Sequence, residues 1–479
     1  MRDLPIRFNP ARAIGYGRRL PAADSAEAEP SLLLVEEPTP KLARFALLAF
    51  VFFSFAQLAA WLPGHAPQLS KEMPTGVAWL AAQMRLSLTP AVLAFVAIVF
   101  YKSVRGQVFL FTGPQGHLMG MFLFFALLSV PFSEHPTYSL WFSLSDMLKL
   151  LLLFLLVTNI IRNLRDVGVL LWTLVLCGCI PAVGSLLANV WPDQFALHID
   201  AAGRIGWASY FCNPNRMAQT MCQLVPVALC LIPLTRSFAV KMFLAGLVCL
   251  FVLVMLMMFS RIAMITMVMV ALVYCVSSRA KLRNLLAIGV VGLLGIVAVP
   301  LLAPTADTSV IDRLATVADY KSDASAMSRI ALWKAGLDLA WQHPFTGIGV
   351  DAFPLAMANY FANRTDISNL RLRWMWPHNS YIEALTEMGI FGLATYLGIL
   401  GIALWDSWRL HKRFRDSSDP PGREFSLLAR GLFLVVIANC IIGLTTHIAY
   451  DWMLHMYCAL IVCLKQMAEP KVVPGATGE

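Results

Sequence analysis

Charged residues are scarce in this 479-residue chain: Asp, Glu, Lys and Arg make up 14%, against 58% hydrophobic residues. Soluble domains carry about 25% charged residues, so the composition excludes a soluble globular protein. The apolar residues come in runs of about 20, the length that an α-helix needs to cross a bilayer. With a mean hydropathy of +0.68, the chain is predicted to be an all-α polytopic membrane protein.

Several motifs of other enzyme classes are also missing. The sequence has no Walker loop for nucleotide hydrolysis and no G-x-S-x-G nucleophile element. It has no H-E-x-x-H motif and no D-x-D-like acidic cluster, so we expect neither a metal site nor a cofactor. The ten cysteines form no disulfide or zinc pattern, and most lie in apolar runs.

The net charge of +9 comes from Lys and Arg in alternate loops, at 102–105, 162–165, 236–241, 279–283 and 409–415. Basic loops stay in the cytoplasm, so this pattern reflects membrane topology and nucleic acid is not an expected partner. Twelve spans are predicted, which places both termini in the cytoplasm. They lie at roughly 42–62, 84–101, 118–133, 144–161, 167–190, 216–234, 242–259, 262–278, 284–303, 380–404, 427–446 and 450–467.

The spans divide the chain into five predicted parts. Residues 1–41 and 468–479 are cytoplasmic tails, and the first is polar enough to be disordered. Residues 42–303 hold spans 1–9 and residues 380–467 hold spans 10–12. Between them, residues 304–379 form one large loop on the outer side, about 75 residues long.

His378 stands where this loop meets the tenth span. Ser380 and Glu383 match the S-x-x-E capping box, which predicts that a helix begins at about Ser380. An imidazole held just outside a helix N-terminus can exchange a proton near neutral pH. The alternative is an interfacial histidine with no chemical role.

Arginine is unusual on the outer side, and Arg261 needs a reason to be there. The apolar stretch 242–276 is too long for one span, and Ser260-Arg261 is its only charged point, so the helix should break there. The side chain would then bind an anion, or reach the lipid head groups.

Arg329 and Arg216 are the other two outer arginines. Arg329 falls near the start of a predicted amphipathic surface helix, where the helix dipole disfavours a cation unless an anion is also bound. The apolar stripe of that helix is Ile330, Trp333, Leu337 and Trp341. Arg216 follows the Asn213-Pro214 turn at the start of the sixth span. A solvated surface arginine is the alternative for Arg329.

Two further outer segments carry weaker signals. The glycines of His343-Pro344-Phe345-Thr346-Gly347-Ile348-Gly349 are interpreted as structural turn residues. The last outer turn holds His447, Tyr450 and Asp451. Asp451 would orient a histidine, offset the arginines, or serve only as a turn residue.

These motifs together resemble the bacterial O-antigen ligase and polymerase superfamily, most strongly over about 203–400. The ligase signature is H-[N/S/Q], nine residues, and G-x-x-G; His378-Asn379 and Gly389-Ile390-Phe391-Gly392 match it throughout. Ser260-Arg261 is similar to the family's arginine at the mouth of a span. Arg329, in Ser-Arg-x-x-x-Trp, is similar to its second arginine, in the large periplasmic loop. The pattern G-x-x-x-x-F-x-N-P-N, at 206–215, also recurs in the family.

The resemblance implies a GT-C-like glycosyltransferase of the bacterial inner membrane whose site faces the periplasm. Its donor would be a glycan on undecaprenyl diphosphate, and its acceptor either lipid A–core or a lipid-linked glycan. Arg261, Arg329 and Arg216 would bind the diphosphate, and no metal would be needed. The polyprenyl tail would lie in membrane lipid.

The resemblance also implies roles for the residues around the histidine. His378 would be the general base on the acceptor hydroxyl, or would hold the acceptor or the phosphate, and transfer would invert the anomeric carbon. Asn379, Glu383 and Asp451 would support the site. Ligase, O-antigen or exopolysaccharide polymerase, and protein-glycosylating enzyme all stay open, with a lipid-linked glycan transporter as an alternative outside enzymes. The outer position of the charges and the absence of an inverted repeat disfavour transport.

Overall fold

Helices make up nearly all of the structure, a computed structural model. The described residues are 40–56, 88–105, 113–191, 198–199, 205–206, 213–278, 280–302, 324–362, 372 and 374–469. Their α-helices are α1 (Lys41–Ala56), α2 (Leu88–Val104), α3 (Gly113–Ser129), α4 (Pro136–Phe142), α5 (Leu148–Ile160), α6 (Leu164–Val190), α7 (Pro214–Leu231), α8 (Phe238–Met257), α9 (Arg261–Ser277), α10 (Lys281–Leu302), α11 (Ala324–Gln342), α12 (Phe353–Ala362), α13 (Ser380–Phe414), α14 (Pro420–Ile442) and α15 (Trp452–Ala468). A short antiparallel pair, β1 (His198–Ile199) and β2 (Ile205–Gly206), precedes α7.

Each of the twelve predicted spans overlaps a helix of the structure. Within the described ranges, eight helices are long and apolar enough to cross a membrane, and three apolar helices are shorter: Val92–Val104, α9 and α15. The chain is therefore a polytopic membrane protein, and the count of twelve spans stays a prediction. Residues 1–39 and 470–479 of the predicted tails, and residues 207–212 of the sixth-span entry, lie outside the described residues.

The predicted break between the seventh and eighth spans is confirmed. α8 ends at Met257 and α9 begins at Arg261, with Phe259 between them in a left-handed conformation (φ 47°). The start of α9 lies beside α7, because the Cys222 thiol lies 3.4 Å from the carbonyl oxygen of Ala263.

α13 packs against α3, α11, α12, α14 and α15, and it is bent at Gly389. The loop after α11 runs along this bend. The amides of Ile348 and Gly349 donate to the carbonyls of Thr386 and Glu387. A bend takes backbone groups out of the helical ladder, and in a membrane protein these groups need partners from the protein itself.

Glycine is required at both sides of this contact. Gly389 has φ 68° and ψ −169°, and a Cβ there would lie 2.5 Å from the carbonyl carbon of Phe345. A Cβ at Gly347 would lie 2.2 Å from the carbonyl oxygen of Glu387. The prediction that the glycines of the 343–349 segment are structural is therefore confirmed, and the same holds for the first glycine of the G-x-x-G signature.

Two expectations about α13 are wrong. The helix does begin at Ser380, but Asn379 is its cap, since its side-chain oxygen accepts from the amides of Tyr381 and Ile382. Ser380 is instead bonded to the turn after α14, so no Ser380–Glu383 capping box forms. The helix also continues beyond residue 404 to Phe414, because the polar stretch after residue 404 has no helix breaker.

The apolar stripe expected on α11 is also different. α11 packs against α12 and α13, and its buried side chains include Leu332, Ala335 and Ala340. Leu337 and Trp341 face outward, with 86% of Trp341 exposed. α11 and α12 thus form a small second core, and the exposed apolar side chains suit a helix lying at a membrane surface.

We expect Gly389→Ala to lower the stability of the fold. Its left-handed backbone alone costs a residue with a side chain about 1–3 kcal/mol, and the clash with Phe345 adds to this. The measurement is thermal unfolding of the purified protein in detergent, followed by intrinsic fluorescence.

Gly401→Ala is the matched control in the same helix, because a Cβ there meets no atom within 4 Å. Equal melting temperatures for the two variants would show that the bend does not depend on glycine.

Candidate active site

His378 sits directly before α13 in a strained conformation, with φ 49°. Left-handed backbone is uncommon for residues other than glycine, and such strain concentrates at functional sites. Among the described residues, four non-glycine residues have a positive φ: Phe259, Asp351, Trp374 and His378. The last three belong to the segments that surround His378, and Phe259 belongs to the break before Arg261.

The turn between α14 and α15 holds the chain beside His378 in place. The Ser380 hydroxyl donates to the carbonyl of Thr446 (2.7 Å) and accepts from the amide of Ile448 (2.8 Å). The Asn379 amide group donates to the carbonyl of Leu444 (3.0 Å). These bonds bring His447 against His378, with ring centroids 5.2 Å apart.

Arg216 reaches the same turn from α7. Its guanidinium donates to the carbonyl of His447 (2.9 Å) and lies 3.6 Å from the Asp451 carboxylate. Asp451 also caps α15 by accepting from the amide of Met453 (2.8 Å). Of the three roles considered for Asp451, the structure supports the offsetting of an arginine, because its carboxylate lies beside the Arg216 guanidinium. The rings of His378 and His447 contact other groups.

Trp333 connects α11 to His378. Its indole N–H donates to the carbonyl of Pro377 (2.9 Å), the residue directly before His378. Arg329 lies one helical turn before Trp333 and is close enough for its charge to act on His378. The Ser-Arg-x-x-x-Trp pattern therefore reflects the geometry of the site. Trp333 holds α11 beside His378, and Arg329 lies near the imidazole because it is on the same helix.

The electrostatic environment keeps both histidines neutral. Burial, together with the charges of Arg329 and Arg216, lowers the pKa of His378 to about 4. Burial, Arg216 and His378 hold the pKa of His447 well below its usual range. At neutral pH, His378 therefore has an unprotonated ring nitrogen beside two fixed positive charges.

A polar network that the sequence analysis missed supports His447 from the other side. The Trp376 ring stacks on His447 (centroids 5.4 Å apart, planes at 11°) and donates its N–H to Asp351 (3.0 Å). Asp351 also accepts from the Tyr138 hydroxyl (2.7 Å). Burial raises the pKa of Asp351, and this effect is larger than that of the two hydrogen bonds, which lower it. The Trp-rich stretch before Pro377 was a signal for Trp376, whereas nothing local indicated Asp351 or Tyr138.

Glu387 is a further residue to which the sequence assigned no role. Its buried carboxylate accepts from the amides of Asp351 (2.8 Å) and Phe353 (3.3 Å) and from the Tyr450 hydroxyl (2.6 Å). It thereby joins α13 to the loop before α12 and to the turn before α15. Its spacing of four residues from Glu383 was the available signal, because this places both carboxylates on one face of α13.

Glu383 and Asn379 act through the backbone. Glu383 is buried and accepts from the amide of Ala449 (3.3 Å), while Asn379 caps α13. The structure thus brings His378, Arg216 and Arg329 together, with Asn379, Glu383 and Asp451 in the surrounding bonds.

Arg261 lies on the neighbouring helix. The contact between Ala263 and Cys222 places the start of α9 about 9 Å along α7 from Arg216, six residues at 1.5 Å each. No contact between the described residues places Arg261 against His378. In the described part of the chain, no group of three or more His, Cys, Asp or Glu side chains has the arrangement of a metal site.

We expect Glu387→Gln to destabilise the protein by about 1–3 kcal/mol, because an amide cannot accept from all three donors and leaves a buried polar group unpaired. Thermal unfolding of the purified protein measures this. Glu469→Gln, at an exposed position, is the control. A Glu387→Gln protein that melts with the control would show that these bonds add nothing to stability.

Comparison with known proteins gives one finding. Residues 224–397 match the family model described as O-antigen ligase. The match contains Arg261, Arg329 and the signature from His378 to Gly392, whereas Arg216, His447 and Asp451 lie outside it. No curated protein matches the chain significantly. Over residues 224–397, the chain is therefore similar to the O-antigen ligase family.

Proposed function

We propose that this protein transfers a glycan from an undecaprenyl-diphosphate donor to an acceptor hydroxyl at the outer face of the bacterial inner membrane. The observation that carries the proposal is a neutral, strained His378 held beside Arg216 and Arg329. A base next to fixed cations suits a reaction in which a hydroxyl loses a proton while a diphosphate leaves.

The imidazole and the arginines each have a role in the bond changes of this reaction. The acceptor oxygen attacks the anomeric carbon, and its proton passes to the His378 imidazole. The bond between the anomeric carbon and the diphosphate oxygen breaks, with inversion, and the electron pair leaves with the diphosphate. Arg216 and Arg329, with Arg261 from α9, stabilise the charge that develops there, without a metal ion.

Donor binding would also strengthen the base. The two arginines lower the pKa of His378 because their positive charges oppose its protonation. A bound diphosphate offsets these charges, so the pKa of His378 rises when the donor is in place. The imidazole then accepts the acceptor's proton more readily.

Two kinds of enzyme in the superfamily differ in the acceptor that they use. A ligase transfers the finished glycan to lipid A–core, and a polymerase transfers the growing chain to a second lipid-linked repeat. We propose the ligase, because the signature from His378 to Gly392 matches the ligase pattern throughout. The polymerase is the alternative.

The deciding experiment uses the purified protein in nanodiscs with a lipid-linked glycan donor, EDTA and one acceptor at a time. Product on lipid A–core supports the ligase, and a ladder on the polyprenyl lipid supports the polymerase. No product with either acceptor, together with movement of intact donor across a liposome bilayer, would replace the enzyme with a transporter.

We expect His378→Ala to lower transfer by about 10²–10⁴-fold, the usual contribution of a general base. Arg216→Gln, Arg329→Gln and Arg261→Gln should each lower it by about 10²–10³-fold, as loss of one charge-stabilising donor does elsewhere. Initial rates of product formation, at equal amounts of folded protein, measure both effects.

Two controls match these variants. His343→Ala changes an exposed histidine after α11, and Lys334→Gln removes an exposed charge from the same helix as Arg329. Both should keep full activity. Wild-type rates in any of the four site variants would remove that residue from the mechanism.

The pH dependence of the reaction tests the state of the histidine. Because the pKa of His378 is lowered to about 4, the base stays unprotonated at neutral pH and is lost only as the pH falls towards that value. We expect kcat/KM to show no inflection from His378 near pH 6.5, and the inflection in kcat to lie at higher pH than that in kcat/KM. Arg329→Gln should move the kcat/KM inflection upward. An inflection near 6.5 in the wild-type kcat/KM profile would contradict this environment.

A further inference from the structure

A cavity of about 1020 Å³ lies at the end of the bundle opposite to His378. It is bounded by α7, α8, α9, α10 and α14 together with the last turn of α13. Its walls between the helices are apolar, with side chains such as Val225, Met255, Met267 and Val291. The volume is in the range of protein sites that hold a small organic molecule, roughly 300–1,000 Å³.

Loose packing of α10 opens this cavity. The buried residues of α10 are Gly295 and Val299, both in its second half. There the helix lies so close to α8 that a Cβ at Gly295 would come within 2.6 Å of the Leu256 side chain. In its first half, Leu282, Leu285 and Leu286 are exposed. The cavity therefore lies between α10 and the rest of the bundle.

Positive charge gathers at one end of the cavity. Arg236 and Arg415 line it from the connections that follow α7 and α13, Arg283 and Arg423 line it from the first turns of α10 and α14, and Glu424 is the one carboxylate among the lining residues. Arg236, Arg283 and Arg415 belong to the basic loops of the sequence, so the positive-inside rule places this end at the cytoplasmic surface.

Arg430 is the decisive residue, because it carries a charge into the membrane part of the cavity. Only 7% of it is exposed, and its guanidinium lies 4.7 Å from the centre of the Tyr274 ring. None of the ion pairs between described residues includes Arg430. A buried guanidinium without a carboxylate is costly, and charged groups within spans mark ligand sites.

His411 adds a second polar group to the same wall. It is 4% exposed, and its Nδ1 lies 2.9 Å from the Ser426 hydroxyl. Its Nε2 is buried and has no hydrogen-bond partner in the part of the chain that the structure describes. One buried cation and one unpaired ring nitrogen thus line an apolar cavity that ends in four arginines.

We propose that this cavity binds an anionic diacyl phospholipid of the cytoplasmic leaflet, with its phosphate at Arg430 and His411 and its acyl chains between α10 and the bundle. Basic pockets between membrane helices on the cytoplasmic side suit anionic head groups, and apolar walls suit acyl chains. The phosphate provides the counter-charge that Arg430 lacks among the described residues. This site is independent of the proposed transfer reaction.

The test is native mass spectrometry of the purified full-length protein released from nanodiscs that contain equal amounts of phosphatidylglycerol and phosphatidylcholine. We expect one phosphatidylglycerol to be retained in preference to phosphatidylcholine. Arg430→Gln should lower that retention by about five-fold, the effect of one arginine worth about 1 kcal/mol at a lipid head group. Arg409→Gln, an exposed arginine outside the cavity lining, should leave it unchanged.

A second pair of variants tests the cavity without changing its charge. Gly292 lines the cavity and a Cβ there meets no atom within 4 Å, so Gly292→Phe places its ring in the space for the acyl chains. Gly289→Phe, equally open but outside the lining, is the control. We expect Gly292→Phe to abolish retention and Gly289→Phe to preserve it.

Three results would overturn the proposal. Equal retention of the two phospholipids by the wild type would show that the cavity does not recognise the charge of the head group. Displacement of the lipid by millimolar inorganic phosphate would make the site one for a free anion. Retention of added undecaprenyl phosphate but of no phospholipid would assign the cavity to a polyprenyl lipid.

Discussion

The hydrogen bonds between the bent part of α13 and the segment 344–349 are the constraint on which the rest of the site depends. The bend at Gly389 leaves backbone carbonyls without helical partners in a region where lipid replaces water. The amides of Ile348 and Gly349 satisfy them and thereby fix the loop before α12. That loop presents Asp351 to Trp376, and the Trp376 ring supports His447. A backbone contact eight and nine residues after His378, at Thr386 and Glu387, therefore contributes to the position of His378.

Buried or partly buried arginines lie near both ends of the helix bundle, one group beside His378 and the other around Arg430. At the His378 end, Arg216 is partly offset by Asp451, and burial together with the charges of Arg329 and Arg216 lowers the pKa of His378. Burial and Arg216 also lower the pKa of His447, so both imidazoles are neutral. Such a site is ready for an anion whose arrival changes the basicity of the histidine. At the other end, Arg430 faces an apolar cavity, and none of the ion pairs between the described residues includes it. Fixed positive charge at either end favours an anionic ligand.

Strain and rigidity are combined around His378. Its left-handed backbone is held by bonds on both sides: Trp333 fixes the carbonyl of Pro377, and Asn379 and Ser380 are bonded to the turn after α14. Two separate parts of the chain, α11 and the turn after α14, therefore hold the backbone around His378. A catalytic base needs this kind of positioning, because its contribution depends on reaching the acceptor proton at hydrogen-bond distance.

The sequence by itself determined the membrane class, the twelve apolar runs, the break before Arg261 and the similarity to O-antigen ligases, since hydrophobic length, charge and a contiguous signature are local properties. It also indicated Arg216, Arg261 and Arg329, because arginine is unusual on the outer side, and His378, because it begins the signature directly before a helix. Only the tertiary structure decided that Asn379 caps α13 while Ser380 bonds to a distant turn. It alone brought Asp351, Trp376 and Glu387 into one network and opened the cavity at Arg430. Those features depend on contacts between residues far apart in the chain. The sequence around each of these residues contains no motif that indicates its distant partner.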